Sequence, residues 1–192
     1  MSETTAVERA DLNVAEQASP VRRHPLVKAA GWVSELADQP PLISICLATA
    51  ATGLVMRDRR QSRAGATMLG AELLATWIKT RIKRRVDRTR PHVVDDGGDY
   101  EMRPGSSRES EDSSFPSGHT AGAVTVARAI ARVYPEHRTA AYVTATAVAL
   151  IQIPRSKHYP SDVAAGAAIG IVAELAVDAV FGPRAKPDEP AR

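Results

Sequence analysis

Phe115-Pro116-Ser117-Gly118-His119 and Lys157-His158-Tyr159-Pro160-Ser161-Asp162 decide how this chain is read. Each places a histidine beside the expected first turn of a helix, and Lys and Arg cluster ahead of both. A helix N-terminus presents unpaired backbone N–H groups and partial positive charge, a combination that suits phosphate. Two such ends, two histidines and a nearby carboxylate point to phosphoryl transfer through a histidine nucleophile.

Working outward, the pattern is helical. A segment starting near Ser117 stops before Pro135, the next covers residues 139–153, and a sixth covers 161–181, stopped by Gly182-Pro183. Upstream, Leu26 to Ala37 reads as a short helix. Pro40 and Pro41 open a second segment running to about Met56, and a third covers 64–82. Between the third and fourth lies a long polar loop, broken by Gly97, Gly98, Pro104, Gly105 and a Ser-rich run to Ser114. The segments are rich in Ala, Leu, Gly and Val, and none alternates with period two. The expected fold class is therefore all-α, a bundle of about six helices. Residues 1–24 read as a polar, loosely ordered N-terminal segment with at most one short amphipathic helix. Residues 25–182 form the helical domain and 183–192 a polar tail.

The 192 residues suit one domain. Lys and Arg number 25 against 22 Asp and Glu, so the net charge is only +3. The distribution is more telling: residues 79–90 hold seven basic side chains and one acid. Such a cluster serves nucleic acid, a membrane surface or an anion pocket. With 4% aromatic residues, stacking on single-stranded nucleic acid is a poor fit, and no nucleic-acid partner is expected. The single Cys46 excludes an intramolecular disulfide and reads as a small buried side chain. Residues 1–25 carry Glu3, Glu8, Asp11 and Glu16 and have no apolar core, so no secretory signal is expected there.

A membrane span needs about 20 mostly apolar residues. The second segment nearly meets this and the sixth does, with Glu174 and Asp178 near its end; Arg128 and Arg132 interrupt the fourth. The mean hydropathy of −0.20 is low, pulled down by the polar head, loop and tail. Small residues on every segment suit close helix packing in lipid. The chain is read as an integral membrane protein. The basic link Arg57–Arg63 would face the cytoplasm, which returns Lys83–Pro91, His119 and His158 together to the outer face. Glu72 and Arg128 are expected to form a buried ion pair, with Glu174 within reach.

Three ordered motifs carry a resemblance. Lys83, six residues, then Arg90-Pro91 is the first; Pro116-Ser117-Gly118-His119 is the second; His158, three residues, then Asp162 is the third. Together they resemble the type 2 phosphatidic acid phosphatase family, which shares its fold with vanadium haloperoxidases, over about residues 40–180. The resemblance implies a phosphohistidine mechanism. His158 would be the nucleophile, Asp162 would accept the hydrogen bond of its other ring nitrogen, and His119 would be the general acid. Lys83, Arg90 and the backbone at Ser117 and Gly118 would hold the phosphate oxygens, with Ser117 and Ser161 as helix N-caps. It implies no metal and no cofactor. The implied substrate is a membrane lipid phosphate or diphosphate (polyprenyl diphosphate, phosphatidic acid or phosphatidylglycerol phosphate), met on the outer face of a bacterial-type inner membrane.

One departure stands out. The family's third motif carries Ser-Arg where this chain has Ile151 and Gln152. Gln152 is expected to donate to phosphate without charge, and Arg155 to supply the missing charge. Arg84, Arg85 and Arg88 are expected to meet lipid headgroups or solvent, and His24, His92 and His137 to lie on the surface. Two other readings stay open. Gln152 motivates a degenerate lipid-phosphate binder. A vanadate-dependent haloperoxidase would use the same residues, but the short length speaks against it.

Overall fold

A computed structural model describes residues 4–107 and 109–181. It holds eight α-helices among the described residues: α1 (Ala6–Ala18), α2 (Pro25–Ser34), α3 (Gln39–Val55), α4 (Arg59–Lys83), α5 (Pro91–Asp95), α6 (Gly118–Val133), α7 (Arg138–Ile151) and α8 (Pro160–Phe181). The all-α expectation holds, and helices 3, 4, 6, 7 and 8 match the long segments read from the sequence. Residues 183–192, expected as a tail, and the Gly182-Pro183 stop lie outside the described residues.

Three local features differ from expectation. The short helix allowed within the polar N-terminal segment covers residues 6–18, and it is capped, with Asp11 buried, where a loose segment is expected. Thr5 Oγ1 accepts the Glu8 N–H at 3.2 Å, and Glu8 Oε2 accepts the Thr5 N–H at 2.7 Å; this reciprocal pair satisfies two orphan donors. Second, the basic link Arg57–Arg63 is mostly helix. Asp58 Oδ1 accepts the N–H groups of Arg60 and Gln61, so α4 starts at Arg59 and the turn shrinks to residues 56–58. Third, the polar loop contains a short antiparallel ribbon, β1 (Val86–Arg88) with β2 (Met102–Pro104), pairing Asp87 with Arg103.

Helices α4, α6 and α8 pack against one another at the centre, with α3 laid on α4 and α7 on α6. The buried apolar residues are mostly Ala, among them Ala71, Ala75, Ala121, Ala129 and Ala173. Small side chains let backbones approach: a Cβ at Gly166 of α8 would sit 2.5 Å from the Ser117 carbonyl oxygen at the head of α6. Large apolar side chains point outward instead, including Trp32, Leu54, Val55, Trp77, Val143 and Phe181. By length and composition α8 is the one helix among the described residues able to cross a membrane, and α3 is a shorter apolar helix.

The expected Glu72–Arg128 pair does not form. Arg128 and Arg132 lie four residues apart on the face of α6 that meets α8, and both bind Glu174, at 2.8 and 2.7 Å. Glu72 faces elsewhere; its Oε1 accepts from Thr76 Oγ1 at 3.2 Å, and its Oε2 is buried without a partner among the described residues.

Candidate active site

The C-terminal end of α4, the N-terminal end of α6 and the turn before α8 meet at one end of the bundle. α4 spans about 37 Å at the usual rise per residue, so Lys83 lies far from Arg59. A cavity of about 420 Å³ opens at this junction, lined by His158, His119, Gly118, Lys83 and Arg90. Arg155, Lys157 and Lys79 line it as well, opposite Glu35 and Asp38. The three motifs therefore come together from distant parts of the chain.

His158 is 3% exposed. Its Nδ1 lies 2.7 Å from the Ser114 carbonyl oxygen and 3.8 Å from Asp162 Oδ2. A carbonyl can only accept, so Nδ1 carries the proton and Nε2 keeps its lone pair for the cavity. This corrects the expectation that Asp162 takes the ring hydrogen bond directly. Asp162 is already occupied: its Oδ2 accepts from Ser114 Oγ at 2.6 Å and from the Tyr159 N–H at 2.8 Å, and its Oδ1 accepts from Arg88 Nη1 at 2.6 Å. The carboxylate acts on the ring through Ser114, whose hydroxyl it holds while the carbonyl of the same residue holds the ring. Burial pushes the His158 pKa down to about 4, against the opposing pull of Asp162, so the ring is neutral near pH 7.

Asp162 lies in the first turn of α8, which starts at Pro160. Ser161 is thus inside the helix, correcting its assignment as N-cap. Its hydroxyl turns to Asp11, and Asp162 reaches back to the Tyr159 N–H instead.

Ser117 does cap α6. Its Oγ faces the Thr120 N–H at 3.4 Å and Thr120 Oγ1 at 3.0 Å. Its own N–H donates to the Asp162 carbonyl at 3.1 Å, so the Ser117 backbone is not available to phosphate as expected. Ser117 does not line the cavity; Gly118 does, with its Cα facing Lys79. That leaves the first-turn N–H groups of Gly118 and His119 for an anion.

His119 Nε2 lies 3.5 Å from Glu35 Oε2 and has no hydrogen-bond partner among the described residues. Arg90 Nε is likewise buried and unpartnered, while Arg90 Nη2 donates to Ser113 Oγ at 3.3 Å. Lys83 Nζ donates to the Ser113 carbonyl. Ser113 thus ties both first-motif cations to the strand of chain that leads to Ser114 and His119. Ligand atoms of Glu35, Asp38 and His119 lie within 4.8 Å of one another, which is close enough to hold a metal ion. Five cationic side chains in the same cavity favour an anion there.

Gln152 and Arg155 separate. Gln152 is fully buried and does not line the cavity; its Nε2 donates to the Val148 carbonyl at 2.9 Å and to Ser34 Oγ at 3.3 Å. The expectation that it donates to phosphate is corrected. Arg155 does line the cavity, as expected, held by Ser34 Oγ at 2.7 Å, by Gln152 Oε1 at 3.3 Å and by Glu35. Arg84 and Arg85 are exposed, as read. Arg88 is 1% exposed and binds Asp162, not solvent. His92 is half-buried, with its Nδ1 3.2 Å from the Ser156 carbonyl. Sequence reasoning missed Ser114, Arg88, Lys79, Lys157, Glu35 and Asp11. Lys157 stands in the His158 stretch and Lys79 and Arg88 in the basic cluster, but nothing there assigns them a site role; Ser114 stands two residues before Pro116, and Glu35 and Asp11 carry no motif.

The chain is similar to several known phosphatases. Lipid A 1-phosphatase of Rhizobium johnstonii is 31% identical over 117 residues, 61% of this chain and 48% of that one. Its counterpart in Rhizobium etli is 31% identical over 106 residues, 55% of this chain and 45% of that one. The chain thus spans about half the length of these relatives. The fold is similar to that of a transmembrane PAP2 type phosphatidylglycerolphosphate phosphatase from Bacillus subtilis, with a TM-score of 0.60 at 20% identity over 93% of this chain and 87% of that one. Aquifex aeolicus LpxE gives the same TM-score and identity over 88% of this chain and 94% of that one. The profile of the PAP2 superfamily matches residues 64–184, which include every one of the three motifs, and the chain belongs to that superfamily.

Proposed function

We propose that the chain is a phosphatase of membrane lipid phosphates or diphosphates that works through a phosphohistidine on His158. The observation that carries this reading is the His158–Ser114 hydrogen bond at the wall of a cationic cavity. It prepares a neutral imidazole with a free Nε2, which simple anion binding does not need. Nε2 would attack phosphorus, forming the N–P bond as the P–O bond to the lipid breaks. His119, protonated, would give its proton to the departing oxygen. Neutral His119 would then take a proton from water as that water attacks phosphorus and frees inorganic phosphate and His158. Lys83, Arg90 and the N–H groups at the start of α6 would offset charge on the non-bridging oxygens.

A bilayer is the solvent that fits the surface. Trp32, Val55, Leu54, Val143 and Phe181 are more than 60% exposed, while the interior is filled by Ala and Gly. That inside-out distribution suits helices packed through small residues with large apolar side chains facing lipid. Arg59, Arg60 and Arg63 gather at the opposite end from the cavity, which suits a cytoplasmic end and an outward-facing site. The relatives named as lipid A 1-phosphatases point to a lipid-borne phosphate as the substrate class. Gln152 stands outside the cavity while Arg155 lines it, which supports the catalytic reading over a non-catalytic binder.

Phosphate release by detergent-purified protein in EDTA tests the reading, using lipid A, phosphatidylglycerol phosphate, phosphatidic acid and polyprenyl diphosphate, with His158→Ala alongside. Release that survives chelation and vanishes in the variant is expected. No release from any of the four, or release by His158→Ala at the wild-type rate, overturns the reading.

A further inference from the structure

Arg88 lies between two buried carboxylates. Its Nη1 donates to Asp162 Oδ1 at 2.6 Å, and its Nη2 donates to Asp11 Oδ2 at 2.8 Å. Asp11 belongs to α1, at the far end of the chain from Asp162, yet it is only 3% exposed. Its Oδ1 accepts the Ser161 N–H at 3.0 Å, and its Oδ2 takes the Ser161 hydroxyl. Arg88 Nη1 also donates to Ser161 Oγ at 2.8 Å. The guanidinium lies over the Tyr159 ring, 4.2 Å from its centroid. A second side chain of α1 arrives at the same place: Glu8 Oε1 accepts from Tyr100 Oη at 3.0 Å, and Tyr100 Oη accepts from Arg88 Nε at 3.2 Å.

An aspartate on a short amphipathic helix costs nothing in water and a great deal when buried, unless paired and hydrogen-bonded. Here the burial is matched by the Arg88 guanidinium of β1 and by the N–H and hydroxyl of Ser161, which sits on the segment that carries His158 and Asp162. None of the residues lining the cavity comes from α1. Any effect of Asp11 on chemistry must therefore pass through Arg88 and residues 159–162.

We propose that Asp11 is a positioning residue of the active site: the Asp11–Arg88–Asp162 bridge docks α1 and fixes the carboxylate that holds Ser114 and Tyr159 around His158. The centre is complete only with α1 in place. Without Asp11, Arg88 keeps one anchor of two, and Asp162 gains freedom to shift with Ser114. The error is passed to the ring nitrogen that must meet phosphorus. The catalytic consequence rests on the phosphohistidine reading above.

Two anions separate positioning from simple charge. Orthovanadate can take a fifth ligand from a neutral imidazole nitrogen, so its affinity reads where Nε2 points; inorganic phosphate reads the cationic cavity. Calorimetric titration of the full chain in detergent with each anion compares wild type, Asp11→Asn, Thr5→Ala and His158→Ala. Asp11→Asn is expected to weaken vanadate roughly 10-fold, the usual scale for losing a partner that orients a ligating histidine, and phosphate by less than about 2-fold on the same reasoning. With a cleaved substrate, kcat falls and KM stays. Thr5→Ala removes the Thr5 hydroxyl from the α1 cap but keeps the residue-5 N–H to Glu8 and the Glu8–Tyr100 contact, and is expected to bind both anions as wild type does. Wild-type vanadate affinity in Asp11→Asn, equal weakening of both anions, or the same loss in Thr5→Ala would overturn the proposal. If Asp11→Asn does not fold, Arg88→Lys asks the same question, because an ammonium cannot bridge two carboxylates with a planar fork. The selective vanadate loss is expected there too, and its absence counts against the proposal. Failure of the phosphatase reading looks different: wild type and His158→Ala would bind vanadate equally.

Discussion

His158 Nδ1 lies 2.7 Å from the Ser114 carbonyl oxygen, while the nearer Asp162 oxygen is 3.8 Å away and bound to the Ser114 hydroxyl and the Tyr159 N–H. The backbone of Ser114 fixes the tautomer, and the carboxylate fixes Ser114. This division makes two substitutions unequal. Ser114→Ala keeps the carbonyl and loses one hydrogen bond to a charged group, worth about 1.5–3 kcal/mol, so kcat should fall by roughly 10- to 100-fold. Asp162→Asn leaves Arg88 with one carboxylate partner, Asp11, in place of two and removes the carboxylate that would stabilise imidazolium character at attack; a fall of about 10³-fold or more is expected. Steady-state kcat for the two variants checks the order. A Ser114→Ala loss as large as that of Asp162→Asn would mean the hydroxyl, not the carbonyl, carries the work.

The buried position of His158 sets a pH dependence. The nucleophile must be neutral, and burial lowers its pKa from the ordinary 6.5 to about 4. The acid limb of kcat/KM due to this ring is therefore expected near pH 4, not near 6.5. The sign for stability follows from the same shift. Between pH 6.5 and about 4 the unfolded chain binds a proton at this histidine and the folded chain does not, so stability falls as pH drops through that window. Thermal melts of wild type and His158→Gln across pH 4–7 test this: the variant should show a shallower loss. Parallel melts would place the pH sensitivity elsewhere.

Much of this was legible in the sequence, and the reasons differ by element. The starts of α6 and α8 are written locally, because Ser117, Gly118 and Pro160 are helix-entry residues and the histidines stand beside them. Lys83 and Arg90 are legible through the family resemblance, whose first motif their spacing matches. The Arg88 bridge was not, since nothing near residue 88 marks which of five neighbouring arginines turns inward, and its partner Asp11 lies on another helix. Glu72 was misassigned for a related reason. Depth along a helix can be read from sequence, but the face that Arg128 turns to α8 depends on packing angles set by Ala and Gly contacts. The motif position of Gln152 suggests a side chain pointing toward phosphate; its depth is set by Ser34 on α2, a contact between elements far apart in the chain.

Gly166 is where α8 closes on α6 beside the site. A Cβ there would meet the Ser117 carbonyl at 2.5 Å and the Thr120 side chain at 3.1 Å. The carbonyl belongs to backbone at a helix start and cannot step aside, so Gly166→Ala should separate the two helices. Overpacking of this kind costs about 1–3 kcal/mol. Because Ser117 N–H binds the Asp162 carbonyl across the same contact, activity should fall along with the melting temperature. Gly70, whose added Cβ would meet only Val177 at an ordinary 3.5 Å, serves as the comparison: Gly70→Ala should leave both nearly unchanged.

Restoring arginine at position 152 should harm this protein. The Gln152 side chain has no solvent exposure, and its two ends do different jobs: Nε2 donates to Val148 and Ser34, and Oε1 accepts from Arg155 Nη1. An arginine can keep the donations but cannot accept, and it would bring a second guanidinium against Arg155 in a buried site. Like charges at short range in low dielectric repel strongly. Arg155 would be driven from the Ser34 and Glu35 contacts that now hold it at the cavity wall. Gln152→Arg should therefore lower both the melting temperature and turnover, whereas Gln152→Glu, which keeps the acceptor and adds a charge partner for Arg155, should retain more of each. Melting curves and turnover for the two variants decide the matter. Higher turnover in Gln152→Arg at an unchanged melting temperature would show that the new side chain reaches phosphate, and that Arg155 does not stand in for it.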